Sequence, residues 1–334
     1  MLTELFRVVE EESSPVSDPA PRYPDAVTSS PRPAARAGHR AGAAVLLLGA
    51  LASMPPADAV APTGSSDIAA KTTCRVRVVG VDSGAHVVSR VVVNGAVSTL
   101  KSSPDALPVD LDALGFYSLH RGGGATALRY VAVAADGVPR LVTVTDTAGS
   151  SDLGVSTTSL DQTGFSPRLF ADASDYRAYT VSARGVLAQW YLTLRRDGTT
   201  RFAHRTRLGG GYGDLASLQY GFRLAATGKA RDVLYATTTS GALRQIAVPI
   251  ASPRQEKAVT LKSAGYRGDT ELSVGVCDKD VGHPVIVSVD PTQDAATWTE
   301  VRNAGRGAGA RAVKRGTVRG PGGGAADWVL HAVV

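Results

Sequence analysis

A degenerate repeat constrains this chain more than any other feature. An aliphatic residue, three further residues, a glycine and an aromatic recur as Leu111…Gly115-Phe116, Leu160…Gly164-Phe165 and Leu261…Gly265-Tyr266. A slipped copy reads Leu208…Gly211-Tyr212, and a decayed one Val301…Gly305-Arg306. The glycine spacings are 49, 47, 54 and 40 residues. A second phrase follows the first four copies. Tyr179…Gly185…Leu187 and Tyr235…Gly241…Leu243 match at all three points, whereas Val131…Gly137 and Val276…Gly282 carry Pro139 and Pro284 in place of leucine. An alternating strand, a polar turn with glycine supplying positive φ, and a returning apolar strand make a hairpin.

Each unit therefore predicts about four short strands in roughly 50 residues, the length of one propeller blade. Abundant glycine (36 residues) and few aromatics (6%) suit strands and turns rather than a helical bundle. The expected fold is all-β: a five-bladed β-propeller of four-stranded antiparallel blades. The chain's ends complete it. The run Asp327-Trp328-Val329-Leu330-His331-Ala332 is similar to Asp232-Val233-Leu234-Tyr235-Ala236, so the fifth unit stops in its first strand. Strands around Val91 to Val97 at the N-terminal end supply the rest. Such closure removes exposed sheet edges.

The first 73 residues read differently. Residues 1–40 are acidic, then rich in Pro, Ser and Ala, the composition of a disordered extension. Residues 41–61 hold the continuously small or apolar run Ala41 to Ala52 and an A-x-A cleavage site at Ala59 and Ala61. With Arg36 and Arg40 ahead of it, this is the pattern of a secretory signal. The apolar run is shorter than the ~20 residues that span a bilayer, although an uncleaved anchor remains the alternative. Val27, read as a start, leaves a short basic leader; N-terminal sequencing of the precursor decides this. Residues 62–73 form a linker, and 74–334 the propeller. Cleavage leaves a secreted chain with no stable membrane insertion.

In an exported chain the two cysteines, Cys74 and Cys277, read as a disulfide; two buried thiols are the alternative. Residues 1–61 hold five Lys/Arg and seven Asp/Glu, so the remainder carries a net charge of +8. This favours anionic surfaces weakly and does not point to nucleic acid.

The stretch RLGGGYGDLASL…DVLYATTTSGAL (207–243) resembles a repeat of the tachylectin-type five-bladed propeller lectins. The resemblance covers about 111–334 and is clearest in the two middle units. It implies non-enzymatic binding of carbohydrate, N-acetylated amino sugars in particular, at shallow sites between blades without metal or other cofactor. The residues it nominates are Phe116, Phe165, Tyr212 and Tyr266. The family's turn usually carries Trp, and the fifth copy has Arg306. These rings either stack on sugars or plug the gaps between blades.

No catalytic motif competes. The six histidines have no zinc-ligand spacing, and there is no G-x-S-x-G, H-E-x-x-H or phosphate loop. Asp278-Lys279-Asp280 lacks the further oxygen ligands of a calcium loop, so no metal is expected. The Gly-rich stretch 302–326 carries Arg302, Arg306, Arg311, Lys314, Arg315 and Arg319 without an acid. It reads as a solvated loop, or as a contact for an anionic cell-surface polymer or nucleic acid. The leading expectation is a secreted lectin-like propeller. Its alternatives are a protein-interaction propeller with decayed sugar sites, and a glycan-active hydrolase built from carboxylates of different blades.

Overall fold

Short apolar runs broken by Gly, Asn and Asp turns become strands, and the described residues hold twenty of them and no α-helix. The computed structural model describes residues 72–334 except 123, 161, 163–164, 174–175, 195–199, 226–229, 268–269, 279, 306, 321–327, 329 and 332–334. The chain divides into two units, Met1–Ser65 and Ser66–Val334. The expected extension (1–40), signal region (41–61, with Ala59 and Ala61) and linker up to residue 71 lie outside the described residues.

Three strands come first: β1 (Cys74–Asp82), β2 (His86–Val93) and β3 (Ala96–Ala106). Three four-stranded sheets follow, each in chain order. They comprise β4 (Leu111–Gly122), β5 (Ala125–Ala134), β6 (Arg140–Thr147) and β7 (Leu153–Ser159); then β8 (Leu169–Ala173), β9 (Arg177–Val181), β10 (Leu187–Leu194) and β11 (Thr200–Gly209); then β12 (Gln219–Leu224), β13 (Arg231–Thr237), β14 (Leu243–Pro249) and β15 (Lys257–Lys262). The last set is β16 (Glu271–Cys277), β17 (Asp280–Asp290), β18 (Ala295–Arg302) and β19 (Arg311–Thr317), with β20 (Leu330–His331) near the C-terminus.

This last set shares an eight-stranded sheet with the first three strands, in the order β19-β18-β17-β16-β1-β2-β3. The end of β16 pairs with the start of β1, Cys74 opposite Cys277, and these two cysteines form a disulfide. β20 pairs antiparallel with the other end of β1, His331 opposite Val81. Trp328 precedes β20 and lies outside the sheet itself, but it shares one hydrophobic cluster with Val92 of β2.

Inner strands such as β2, β9 and β13 are buried on both faces, which is why they read as apolar runs rather than strict alternation, whereas the outer strands β3, β7 and β15 are largely exposed. In β13, Val233 and Tyr235 enter one cluster and Leu234 and Ala236 another. Five such clusters lie between consecutive sets of strands. One joins β1–β2 to β4–β7, the next β5 to β8–β11, the third β9–β10 to β13–β14, and the fourth β12–β15 to β16–β18. The fifth joins β16–β18 to β1–β3, Trp328 and β20.

The repeat phrases meet in space. The hairpin between the second and third strands of each set turns on a residue of positive φ: Gly137 (71°), Gly185 (68°) and Gly241 (84°). The carbonyls of these glycines accept the backbone N–H of Phe165, Tyr212 and Tyr266, each at 3.1 Å, in the segment leading to the next sheet. A Cβ on Gly185 would lie 2.5 Å from the Gly213 nitrogen, and one on Gly241 2.4 Å from the Tyr266 carbonyl oxygen. Only glycine fits both the conformation and the space.

The terminal strands build the same bond without the sequence phrase. The β1–β2 hairpin turns on Ala85 (φ 62°), whose carbonyl accepts the N–H of Leu107 at 2.8 Å. In the β17–β18 hairpin the positive-φ residue is Asp294, and its side chain accepts the N–H of Trp328.

Some copies occupy other places than their letters implied. Gly115-Phe116 lies inside β4, opposite Val131-Tyr130, not in a linker. Gly282 lies inside β17, near its start. Gly305 follows β18 within one sheet, and Arg306 lies outside the described residues. An aliphatic–glycine–aromatic phrase suits a strand or a hairpin as well as a linker, so three letters do not fix the register. Part of the basic stretch is strand: Arg302 ends β18, and Arg311, Lys314 and Arg315 belong to β19.

Candidate functional site

The best-formed site lies along β18, where that strand faces the Asn94-Gly95 turn between β2 and β3. Alternation puts Trp298, Glu300 and Arg302 on one face of β18, with Thr299 and Val301 fully buried on the other. Trp298 is partly buried and packs against the cluster shared by β1, β2 and β17. Gly95 lets the turn close onto the indole, since a Cβ there would sit 2.6 Å from Trp298 Nε1.

Three adjoining cavities open along this strand. One of about 590 Å3 is lined by Asn94, Gly95, Ala96, Trp298, Gly316, Thr317 and Arg319. The next, about 480 Å3, has Asn94 and Trp298 in common with it and adds Thr72, Cys74, His283, Glu300 and Arg302. The last, about 500 Å3, keeps His283, Glu300 and Arg302 and reaches Asp280 and Asn303.

Glu300 forms the floor. It is 3% exposed, and its Oε1 accepts from His283 Nε2 and from Arg302 Nε at 3.2 Å. These partners hold the buried carboxylate in place, as burial of a charge requires. Arg302 and His283 reach solvent with half and about a third of their side chains. Asn94, which lines two of the cavities, uses its Oδ1 to accept the Cys74 N–H at 2.8 Å. The Cys74–Cys277 disulfide anchors the strand that carries this contact. The arrangement combines an indole face with guanidinium, imidazole and amide donors.

The aromatics nominated by sequence sit elsewhere. Phe116 is in β4. Phe165 is buried and stacks on Phe202 at 4.4 Å between centroids, with Phe170 and Trp190 at its edges. Tyr212 is buried; its hydroxyl donates to Glu256 Oε1 at 3.4 Å, and burial, aided by that carboxylate, pushes its pKa up to about 12. Tyr266 is buried with its hydroxyl 3.0 Å from Thr299 Oγ1, and burial raises its pKa too. The rings of Phe165, Tyr212 and Tyr266 fill spaces between neighbouring sheets. Sequence reasoning missed Trp298 and Glu300, although the alternation W-x-E-x-R was a usable signal.

Among the described residues no cluster of His, Cys, Asp or Glu is placed to hold a metal ion. Both carboxylates of Asp278 and Asp280 bond to backbone: Asp278 Oδ1 accepts the N–H of Thr73, just ahead of β1, at 2.7 Å, and Asp280 Oδ1 the Gly282 N–H two residues on at 2.8 Å. No helix among the described residues is long and apolar enough to cross a membrane.

No protein-family model and no curated relative matches the chain. Similar solved structures include the SapL1 lectin in complex with alpha methyl fucoside, at 9% identity and a TM-score of 0.37, covering 74% of this chain and 82% of that one. Trypanosoma rangeli sialidase is another. Its covalent intermediate with 2,3-difluorosialic acid gives 12% identity, a TM-score of 0.35 and coverage of 73% and 48%. Its complex with sialic acid gives 13%, 0.35, 76% and 48%. The chain thus spans about half the length of the sialidase.

Proposed function

We propose that the protein is a secreted carbohydrate-binding propeller whose principal sugar site is the cleft at Trp298. The single observation that carries this is the partly exposed indole flanked by Arg302, His283 and Asn94 over the buried Glu300. A sugar offers an apolar face to an aromatic ring and hydroxyls to surrounding donors and acceptors, and this cleft supplies both. N-acetylated amino sugars are the first ligands to try.

The architecture in this proposal is a ring of five blades. Four are the four-stranded sets from β4 to β19. The fifth is β20-β1-β2-β3, made from both ends of the chain. Two features support it: five clusters that join the sets in a cycle, and five hairpin-to-linker hydrogen bonds. The leader at 41–61 and the disulfide fit export.

A glycan array on the purified protein tests the function. Binding that Trp298→Ala abolishes and Asn94→Ala weakens supports it; no binding to any amino sugar or neutral glycan removes it in favour of a protein-interaction role. A separate arm tests shallow sites at the linker aromatics through Tyr212→Phe and Tyr266→Phe. Phe165, Tyr212 and Tyr266 are 4%, 7% and 6% exposed, so only a ring edge would reach a ligand there.

One observation favours a second reading. Asp280 and Glu300 line the same cavity, and a pair of carboxylates is what glycoside hydrolysis needs. Turnover of a chromogenic glycoside, lost in both Asp280→Asn and Glu300→Gln, would establish that reading.

A further inference from the structure

A second cavity, far along the chain from the Trp298 cleft, has different chemistry. It measures about 590 Å3 and is lined by Ser182, Ala183, Arg184, Val186, Arg205 and Arg207. Three guanidinium groups border it and no acidic residue does. Among the described residues none of the three arginines pairs with a carboxylate. Like charges that converge without counter-ions on their own chain repel one another and attract an anion from outside.

Their convergence is built by the backbone. Arg184 sits at the tip of the β9–β10 hairpin, next to the positive-φ Gly185. Arg205 and Arg207 come from β11, the outer strand of the same sheet. The pairing of β11 with β10 shifts register between Gln189 and Tyr191, and His204 takes φ 53° there. Such a bulge re-aims the side chains beside it.

Arg205 is also held. Its guanidinium carbon lies 5.4 Å from the centre of the Trp190 ring. That indole is fixed by its own N–H bond to Thr180 Oγ1 at 2.9 Å and by edge contacts with Phe165 and Phe202. A cation placed over an aromatic face keeps its N–H groups free at the rim for an acceptor. Protection of an outer strand against edge pairing would explain charges on β11 alone. It does not explain why Arg184, on a hairpin tip, borders the same cavity.

We propose that this cavity binds sulfate or carboxylate groups on an anionic polysaccharide. Resting on the carbohydrate reading for its polymer class, the proposal gives the protein a second, charge-reading site separate from the neutral-sugar cleft. Guanidinium groups bind such oxyanions through short, charge-assisted hydrogen bonds.

The test measures binding of the full chain to dextran sulfate, polygalacturonate, neutral dextran and double-stranded DNA, each over a range of salt. Dextran sulfate and polygalacturonate separate the sulfate and carboxylate sources. The expected result is salt-sensitive binding to one or both, weakened roughly tenfold for each of Arg184→Ala, Arg205→Ala and Arg207→Ala. Arg205→Lys should retain part of it. A control triple variant, Arg75→Ala, Arg129→Ala and Arg254→Ala, removes the same charge elsewhere and should keep nearly all of it. Equal losses in the control, undiminished binding in the Arg184/Arg205/Arg207 triple, competition by neutral dextran, or tighter binding of DNA would each overturn the proposal. Trp298→Ala separates the two sites: loss of neutral-sugar binding with dextran sulfate binding intact supports both readings, and loss of both places the anion at the wrong cavity.

Discussion

The middle sheets, β8–β15, and the sheet that joins the chain's ends, β16–β20 with β1–β3, solve one packing problem with different parts. In the middle, a glycine carbonyl holds the next linker, and a buried ionic network ties sheet to sheet. Asp232, fully buried, accepts from Arg177 Nε at 2.9 Å, Arg223 Nε at 3.2 Å and the Tyr179 hydroxyl at 2.7 Å, and Gln189 donates to that hydroxyl. In the joining sheet Ala85 and Asp294 stand in for glycine, Leu107 and Trp328 for the linker Phe or Tyr, and a disulfide holds β1 to β16. The backbone geometry is shared; the residues that produce it are not.

Removing the disulfide tests this most severely. It links residues 203 apart in sequence, and constraining a loop of that length stabilises by about 5 kcal/mol in the chain-entropy model. Cys74→Ala with Cys277→Ala should lower the denaturant midpoint accordingly. Hydrogen exchange should show β1 and β16 losing protection while β13 and β14 keep theirs. Uniform loss across all sheets would mean that the two regions are not separately held. The middle has its own counterpart. Asp232→Ala removes the buried carboxylate that Arg177, Arg223 and Tyr179 share, at a cost of about 3–5 kcal/mol, read in the same unfolding assay with protection lost first in β9 and β13.

The hairpin glycines give a smaller and cleaner contrast. Gly241→Ala forces a side chain to φ 84° and into the Tyr266 carbonyl, costing about 3 kcal/mol. Ala85→Gly makes the reverse change at φ 62°; relief of strain and the added chain entropy nearly cancel, leaving a change within about 1 kcal/mol. Thermal unfolding of the two variants measures both. Equal effects would mean that the five hairpins are not built alike.

What the sequence made legible follows the same division. The strand count per unit, the use of both ends in one sheet and the cysteine pairing were readable. Each rests on local chemistry: a glycine where φ must be positive, apolar runs, an isolated pair of cysteines. Register in the last set was not readable. Asp294 accepts Trp328 through its side chain, a contact between residues 34 apart that no glycine marks. The candidate cleft is illegible for a related reason. The sequence points to aromatics in the repeated turns, and Phe165, Tyr212 and Tyr266 are buried there. Phe165, Tyr212 and Tyr266 recur because each must fill a space between sheets. Trp298, Glu300 and Arg302 occur once, and only the approach of the Asn94-Gly95 turn makes a cleft of them.

The subtlest contrast is at the first residue of the first strand in two sheets. β12 begins with Gln219, which is buried and donates from its amide to the Tyr220 carbonyl at 3.2 Å. β16 begins with Glu271, and burial pushes its carboxyl up from 4.5 to about 7. A raised carboxyl pKa means that folding favours the protonated form. Its contribution is therefore complete below about pH 4.5 and is lost as pH rises through about 7. Glu271 stays partly open to solvent, so the loss is a slope in stability and not an unfolding transition. Glu271→Gln copies the middle sheet's choice and removes the titration. The denaturant midpoint of the native protein should decline between pH 4.5 and 7 relative to the variant, and the two curves should run parallel above that. Parallel curves throughout the window would show that the glutamate is as well solvated when folded as when unfolded, and the two strand starts would then differ in name only.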